Sequence, residues 1–155
     1  MDCVNYTELD MDDWGELLLK PLQGSRFPLA AEFEITDRCN LGCVHCFINQ
    51  PAGSTAHIQH ELSTGEIKEI LDQIADSGCL HLLLTGGEPL LRPDFSEIYL
   101  HARQKGMLVM LFTNATLMTP SVIETLKQAP PILVEVSLYG ATQETYEAVT
   151  RMPGS

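Results

Sequence analysis

The feature that most constrains the fold is a fourfold alternation of short apolar runs and amphipathic segments. Each apolar run is followed by a segment with helical periodicity. The runs are AAEFEIT (30–36), in which apolar and polar residues alternate, and the more continuously apolar LHLLLT (80–85), MLVMLFT (107–113) and ILVEVSL (132–138). Strands that alternate with helices at this spacing form parallel βα units, and mostly apolar strands fit a sheet that helices cover. The sequence therefore predicts an α/β fold with about four parallel βα units.

Helix boundaries can be predicted from capping residues. In the segment 62–78, Ser63 can cap a helix and Glu66 completes a capping box. Three further helices are predicted at about 94–105, 119–128 and 142–149. Residues 1–28 carry no strong period, so we predict two parts: a lead-in at 1–28 and a folded domain at 29–155.

The four segments that directly follow the strands are the predicted ligand-binding edge. They are residues 37–49, 86–92, 114–117 and 139–142. In parallel α/β folds, ligands bind at the carboxyl ends of the strands. The first of these segments contains CNLGCVHC, so an unusual cluster of cysteines is expected at this edge.

Cys39, Cys43 and Cys46 lie within eight residues of one another. A structural zinc site normally takes four ligands in two Cys-x-x-Cys-like pairs, and only Cys43–Cys46 has that spacing. A four-iron cluster held by three thiolates would leave one iron open to another ligand. A zinc site completed by a histidine remains an alternative. The candidates are His45, His57 and His60, although the last two are most simply solvated in the polar loop 49–62.

Charge and composition narrow the class of partner. The chain of 155 residues carries a net charge of −12, and a nucleic-acid-binding surface would need a basic stripe. The sequence begins without a signal peptide, and its early apolar run is too short to cross a membrane. We therefore expect a cytoplasmic protein that binds neither nucleic acid nor membranes, in a compartment where clustered cysteines indicate metal or redox chemistry.

These motifs together resemble the radical S-adenosylmethionine (SAM) superfamily. CNLGCVHC (39–46) is similar to its CxxxCxΦC signature, and GGEPLL (86–91) is similar to its GGE motif. FTNAT (112–116) and EVSLYGATQETYEAVTRMPGS (135–155) resemble its third and fourth strand ends. The resemblance is to the N-terminal part of SPASM-type members, many of which modify peptides or proteins. It implies an incomplete (β/α) barrel, the first four units of a six-unit partial TIM barrel.

The resemblance also assigns roles to individual residues. It implies a [4Fe-4S] cluster on the three cysteines, with the fourth iron chelating the amino and carboxylate groups of SAM. His45 would pack near the adenine. The residues that would line the methionine amino group are Gly86, Gly87 and Glu88. Ribose or carboxylate contacts are implied for Asn114 and Ser137.

The implied reaction is reductive cleavage of SAM to a 5′-deoxyadenosyl radical, which removes a hydrogen atom from a substrate. The substrate is not identified by the sequence, although the resemblance points to a peptide. An external electron donor such as a flavodoxin or ferredoxin is also implied. Because the chain supplies four of six units and ends at Ser155, we expect an N-terminal fragment that binds a cluster but fails at turnover alone.

Two alternatives belong to other functional classes. One is a non-catalytic metal- or cluster-binding module that acts through a partner. The other is an electron-transfer protein, which is disfavoured because such clusters generally take four thiolates and the GGEP segment would then have no role.

Overall fold

The computed structural model describes residues 26–48 and 50–155, together with residues 10, 13, 16, 17, 20 and 24. The predicted lead-in therefore lies largely outside the described residues, and its boundary with the folded domain stays a prediction. Within the described part, no helix is both long enough and apolar enough to cross a membrane.

The central element is a four-stranded parallel sheet. Its strands are β1 (Ala30–Glu34), β4 (His81–Thr85), β5 (Leu108–Thr113) and β6 (Leu133–Val136). They lie in the order β1-β4-β5-β6, and the register pairs Phe33 with Leu84, Leu84 with Leu111, and Leu111 with Val134. Each strand is added on the same side of the preceding one, as in a (β/α) barrel, whereas a doubly wound sheet reverses direction. The predicted fold class is confirmed.

Helices follow the main strands at the predicted positions. They are α2 (Thr64–Asp76), α3 (Phe95–Gln104), α4 (Pro120–Gln128) and α5 (Gln143–Thr150). Ser63 and Glu66 form the predicted capping box of α2, and the hydroxyls of Thr119 and Thr142 cap α4 and α5. These caps satisfy backbone N–H groups that have no partner inside the helix.

The hydrophobic core lies between the sheet and the helices α2 and α3. Leu82 and Leu84 of β4 and Val109 and Leu111 of β5 are fully buried, and they pack against apolar side chains that include Ile67, Leu71, Ile98 and Tyr99. The alternate residues of β4 and β5 are only half-buried. Because successive side chains of a strand point to opposite faces, one face is covered by helices and the other borders the site.

The segment between β1 and α2 contains more structure than the sequence predicted. A short parallel bridge joins β2 (Arg38–Cys39) to β3 (Gln50–Pro51), and α1 covers Thr55–His60. His60 is exposed as expected, but the expectation that His57 is simply solvated was wrong. The half-buried ring of His57 contacts the carboxylate of Asp37.

Candidate functional site

A cavity of about 260 Å³ opens at the carboxyl ends of the four main strands. It receives residues from every strand-end segment, so four separate parts of the sequence meet there. Among its lining residues are Cys39, Cys43, Cys46, His45, Gly86, Gly87, Asn114 and Ser137. The structure thus brings together all the sequence-predicted site residues except Glu88, which lies outside the lining.

Main-chain hydrogen bonds join the glycine turn (Gly86–Gly87) to the start of the cysteine segment, the part of the chain that follows β1 and carries the three cysteines. The amide of Gly87 donates to the carbonyl of Thr36 at 2.8 Å, and the amide of Glu88 donates to the carbonyl of Arg38 at 2.9 Å. A Cβ atom on Gly87 would stand 2.6 Å from the Arg38 carbonyl carbon, and one on Gly86 would overlap the Thr36 carbonyl oxygen. Gly86 also has a φ of 143°, which disfavours other residues. The two glycines are therefore required by this close approach.

The other end of the cysteine segment is held by helix α5. The amides of Gly42 and Val44 each donate a 2.9 Å hydrogen bond, to the carbonyls of Thr150 and Val149 respectively. These carbonyls belong to the last turn of α5, where no amide within the helix is placed to donate a hydrogen bond to them. The segment that carries the cysteines is thus fixed from two directions by main-chain contacts.

The three thiols occupy related environments. Cys43 is buried, while Cys39 and Cys46 are half-buried at the cavity wall. Burial raises the pKa of the Cys39 thiol, although hydrogen bonds from the Leu41 amide and the Asn114 side chain oppose that increase. Burial likewise raises the pKa of Cys43, and the neighbouring Cys46 adds to the effect. A nearby cation could therefore bind the thiolate forms and offset the cost of burying them.

Glu88 lies beneath the cavity with no exposed surface. Its carboxylate accepts hydrogen bonds from the Leu90 amide at 2.9 Å, the Thr113 hydroxyl at 2.7 Å and the Asn114 amide at 2.7 Å. Burial raises the pKa of Glu88, and these three donors act in the opposite direction. The carboxylate therefore joins the glycine turn to the end of β5.

An aromatic cluster contributes His45 and Tyr139 to the lining of the cavity. The ring of His45 meets that of Tyr139 edge-on with centroids 4.8 Å apart, and Tyr139 lies 6.1 Å from Tyr146. The Tyr146 hydroxyl donates to the carbonyl of Ser137 at 3.2 Å. Sequence reasoning identified His45 and Ser137 but missed Tyr139, and the position of Tyr139 in a strand-end segment was the signal available.

A network of buried charges supports the start of the cysteine segment. Arg38 binds the Glu61 carboxylate through Nε at 2.8 Å and Nη2 at 3.0 Å, and Thr36 donates to the same carboxylate. Arg92 approaches Glu61 to 3.7 Å and also pairs with Asp94 at 2.6 Å. Burial acts to raise the pKa of Glu61, but the bonds from Arg38 and Thr36 leave that pKa below its usual value. Glu61 therefore acts as an anion that joins three segments.

The three cysteines suit a metal cluster, in which each thiolate binds a different metal atom, better than a single metal ion. Three cysteines line one cavity, and thiolates are the usual ligands of iron–sulfur clusters. Among the described residues, no three His, Cys, Asp or Glu side chains are close enough to share one metal ion. A cluster binds each thiolate through a different iron and so does not need the thiols to converge on one point.

The family of the chain follows from comparison with known proteins. The model of the radical SAM superfamily matches residues 33–155. The protein belongs to this superfamily, which confirms the resemblance seen in the motifs. Membership implies SAM and an iron–sulfur cluster as cofactors.

Curated relatives include enzymes with different named products. An AdoMet-dependent heme synthase from Methanosarcina barkeri is 41% identical over 128 residues, which are 83% of this chain and 36% of the relative. Mycofactocin maturase MftC from Mycobacterium tuberculosis is 35% identical over 127 residues, which are 82% of this chain and 32% of the relative. The chain spans about a third of the length of these relatives.

A solved structure shares the fold. Streptococcus suis SuiB bound to S-adenosylmethionine superposes with a TM-score of 0.69 at 21% sequence identity. The match covers 99% of this chain and 35% of SuiB. SuiB bound to its precursor peptide SuiA matches with the same TM-score.

Proposed function

We propose that Cys39, Cys43 and Cys46 hold a [4Fe-4S] cluster whose fourth iron binds SAM, and that the chain forms the cofactor-binding part of a radical-generating site. The observation that carries this proposal is the shared cavity, which is lined both by the three cysteines and by Gly86 and Gly87. Both ligand sets come from strand ends that are hydrogen-bonded to each other. Membership of the radical SAM superfamily supports SAM and an iron–sulfur cluster as the cofactors.

The residues of the chain have distinct tasks in this proposal. When bound, the reduced cluster supplies one electron that cleaves a carbon–sulfur bond of SAM. The glycine turn presents backbone to the methionine amino group, with its own geometry fixed by Thr36 and Arg38. His45 and Tyr139 form an aromatic pair suited to stacking or edge contact with the adenine. Ser137 lines the same cavity and can contact the ribose or the carboxylate.

For the substrate, we propose a peptide, with an external flavodoxin or ferredoxin as electron donor. The support is that the relatives include a mycofactocin maturase and that SuiB has been solved with a precursor peptide. The net charge of −12 disfavours a nucleic-acid substrate.

A tetrapyrrole is the second candidate substrate. It is favoured by one observation, the 41% identity to a heme synthase over 83% of this chain. The cofactor chemistry would be the same in both cases. Because the chain is expected to fail at turnover alone, substrate binding separates the two: only the true class, peptide or porphyrin, should change the EPR signal of the reconstituted cluster in the presence of SAM.

The cysteine assignment can be tested by metal loading. After anaerobic reconstitution, we expect the wild-type chain to bind iron and sulfide, and Cys43→Ala to lose most of both. Cys79→Ala is the matched control, because Cys79 is buried elsewhere with its thiol directed to the His81 carbonyl, so its loss should leave iron loading unchanged. Equal iron and sulfide contents in Cys43→Ala and the wild type would contradict the assignment.

Metal analysis, together with spectra recorded with and without SAM, distinguishes the proposed radical SAM site from the non-catalytic alternatives. A chain that binds zinc without iron or sulfide after anaerobic purification would support a structural metal site. Iron and sulfide without any spectral response to SAM would support a cluster-holding or electron-transfer module.

A further inference from the structure

The side chain of Asn114, which follows β5 directly, points toward the thiol of Cys39. Its Nδ2 atom lies 3.7 Å from the Cys39 sulfur and 3.0 Å from Oδ1 of Asn40. The sulfur also accepts a hydrogen bond from the Leu41 amide at 3.4 Å. Cys39 therefore has two N–H donors, of which one is main chain and one is a side chain.

The orientation of the Asn114 amide is fixed by its neighbour Thr116. The Thr116 amide donates to Oδ1 of Asn114 at 3.0 Å, and the Thr116 hydroxyl lies 2.6 Å from the same oxygen. A main-chain N–H can only donate, so the atom that it contacts must be the amide oxygen. Nδ2 is then the atom that faces the Cys39 sulfur.

These contacts use the whole hydrogen-bonding capacity of the Asn114 side chain. Two acceptor positions on Oδ1 serve Thr116, and two protons on Nδ2 are directed at Cys39 and Asn40. A contact between this amide and the ribose or carboxylate of SAM would require one of these bonds to break. The geometry favours a role toward the sulfur.

The backbone around Asn114 is held in place for this role. Its amide donates to the buried carboxylate of Glu88 at 2.7 Å, and the amide of Ala115 donates to the Thr113 hydroxyl at 2.9 Å. Ala115 adopts a left-handed φ of 59°, which is uncommon for a residue with a Cβ atom. This turn brings Thr116 back over the Asn114 side chain.

We propose that Asn114 is a positioning residue that sets the reduction potential of the cluster by donating a hydrogen bond to the Cys39 thiolate. The inference rests on the proposed function, since it requires the cluster to be bound by Cys39. Reduction adds negative charge that spreads onto the sulfur ligands. A donor at the sulfur stabilises the reduced form more than the oxidised form and so raises the potential.

The test is a redox titration of the reconstituted wild-type chain and its variants, followed by the EPR signal of the reduced cluster. Asn114→Leu removes the donor. We expect it to lower the ratio of reduced to oxidised cluster at a fixed potential about tenfold, or ~59 mV for one electron. Asn114→Asp retains an oxygen acceptor for Thr116 and places a carboxylate beside the sulfur, so it should lower the ratio further.

Thr116→Val is the matched control. It removes the hydroxyl that accepts a 2.8 Å hydrogen bond from Nδ2 of Asn40 and donates to Oδ1 of Asn114, and it leaves the Thr116 amide and the Asn114 donor to Cys39 in place. We expect its potential to match that of the wild type. Iron and sulfide are counted in every sample, so that a change in potential is compared at equal loading.

Equal potentials in the wild type, Asn114→Leu and Asn114→Asp would overturn the inference. Loss of iron from both Asn114 variants, with Thr116→Val fully loaded, would also overturn it. The Asn114 side chain would then be needed for uptake of the cluster and not for its potential. Failure of the wild type itself to take up iron would instead overturn the proposed function on which the inference rests.

Discussion

The seam, where Thr36 and Arg38 of the cysteine segment contact Gly87 and Glu88 of the glycine turn, differs sharply from β6, the fourth strand of the main sheet. At the seam, backbone meets backbone through the Gly87–Thr36 and Glu88–Arg38 hydrogen bonds, and Glu88 beneath it is completely buried. On β6, by contrast, Val136 is 49% exposed, and Leu138 just beyond it is 78% exposed. Both regions contribute residues to one cavity, but only the first is tightly enclosed.

This difference shows which part of the site the described chain holds rigidly. The proposed cluster ligands and the glycine turn lie on the enclosed side, where buried hydrogen bonds and packing fix their positions. Ser137 lies on the open side, where, among the described residues, β6 pairs with β5 alone. We therefore expect substitutions near the seam to cost much more stability than comparable substitutions on β6.

The largest effect is expected from Gly87→Ala. The new methyl group would stand 2.6 Å from the Arg38 carbonyl carbon, so the two segments would have to separate. We expect a loss of about 3 kcal/mol in the free energy of unfolding, since overpacking against main chain is poorly relieved. Chemical denaturation followed by circular dichroism measures it.

Gly65→Ala is the matched control for the glycine change. Gly65 lies in the first turn of α2, where an added Cβ would meet nothing closer than 3.9 Å. This substitution should be neutral or stabilise the chain by up to about 1 kcal/mol. If both alanine variants had the same stability, the proposed close approach at the seam would be wrong.

A smaller effect is expected from Glu61→Gln. The change removes the charge that Arg38 and Arg92 share, and we expect a loss of about 2 kcal/mol at neutral pH. Because the pKa of Glu61 is lowered on folding from an ordinary value of 4.5, its stabilisation is present above that pH and disappears as the pH falls further. The stability gap between the two proteins should therefore narrow in acid.

The control for this pH series is Glu97→Gln. Glu97 pairs with Lys68 at 2.6 Å, but its side chain is 60% exposed. Exposed pairs contribute little, so we expect a change below about 1 kcal/mol. A stability gap for Glu61→Gln that stayed constant from neutral pH into acid would argue against an ionised Glu61 in the network.

The smallest effect is expected from Val136→Thr on the open strand. A hydroxyl at this half-exposed position can reach water, so the cost should be below about 0.5 kcal/mol. Val109→Thr, the same change on the buried neighbouring strand, should cost about 2 kcal/mol because its hydroxyl would be enclosed among apolar side chains. Similar losses of unfolding free energy for Val136→Thr and Val109→Thr would contradict the proposed difference between the open strand and the buried part of the sheet.

Much of the fold could be predicted from local patterns. The Ser63–Glu66 capping box and the Thr119 cap depend on residues three apart, so sequence alone located the starts of α2 and α4. The alternating burial of the strands could not be predicted in the same way. Leu82 is buried and Leu83 is half-buried because helices cover only one face of the sheet, although both residues are equally apolar in the sequence.

The sequence could predict that the motif residues would meet at one edge of the sheet, but it could not predict the side-chain contacts within the site. Motifs at strand ends predicted that Cys39 and Gly87 would share one edge of the sheet, and both line the cavity. The contact between Asn114 and Cys39 joins residues 75 positions apart and depends on a left-handed turn at Ala115. The burial of Glu88 also depends on tertiary packing, and neither feature leaves a local signal.

The most direct test of the central claim is the EPR spectrum of the reconstituted, reduced wild-type chain, recorded with and without SAM. We predict a signal from a reduced four-iron cluster whose g values change when SAM is added, because the amino and carboxylate groups of SAM bind the open iron. A cluster signal that is identical in the presence and absence of saturating SAM would contradict the account.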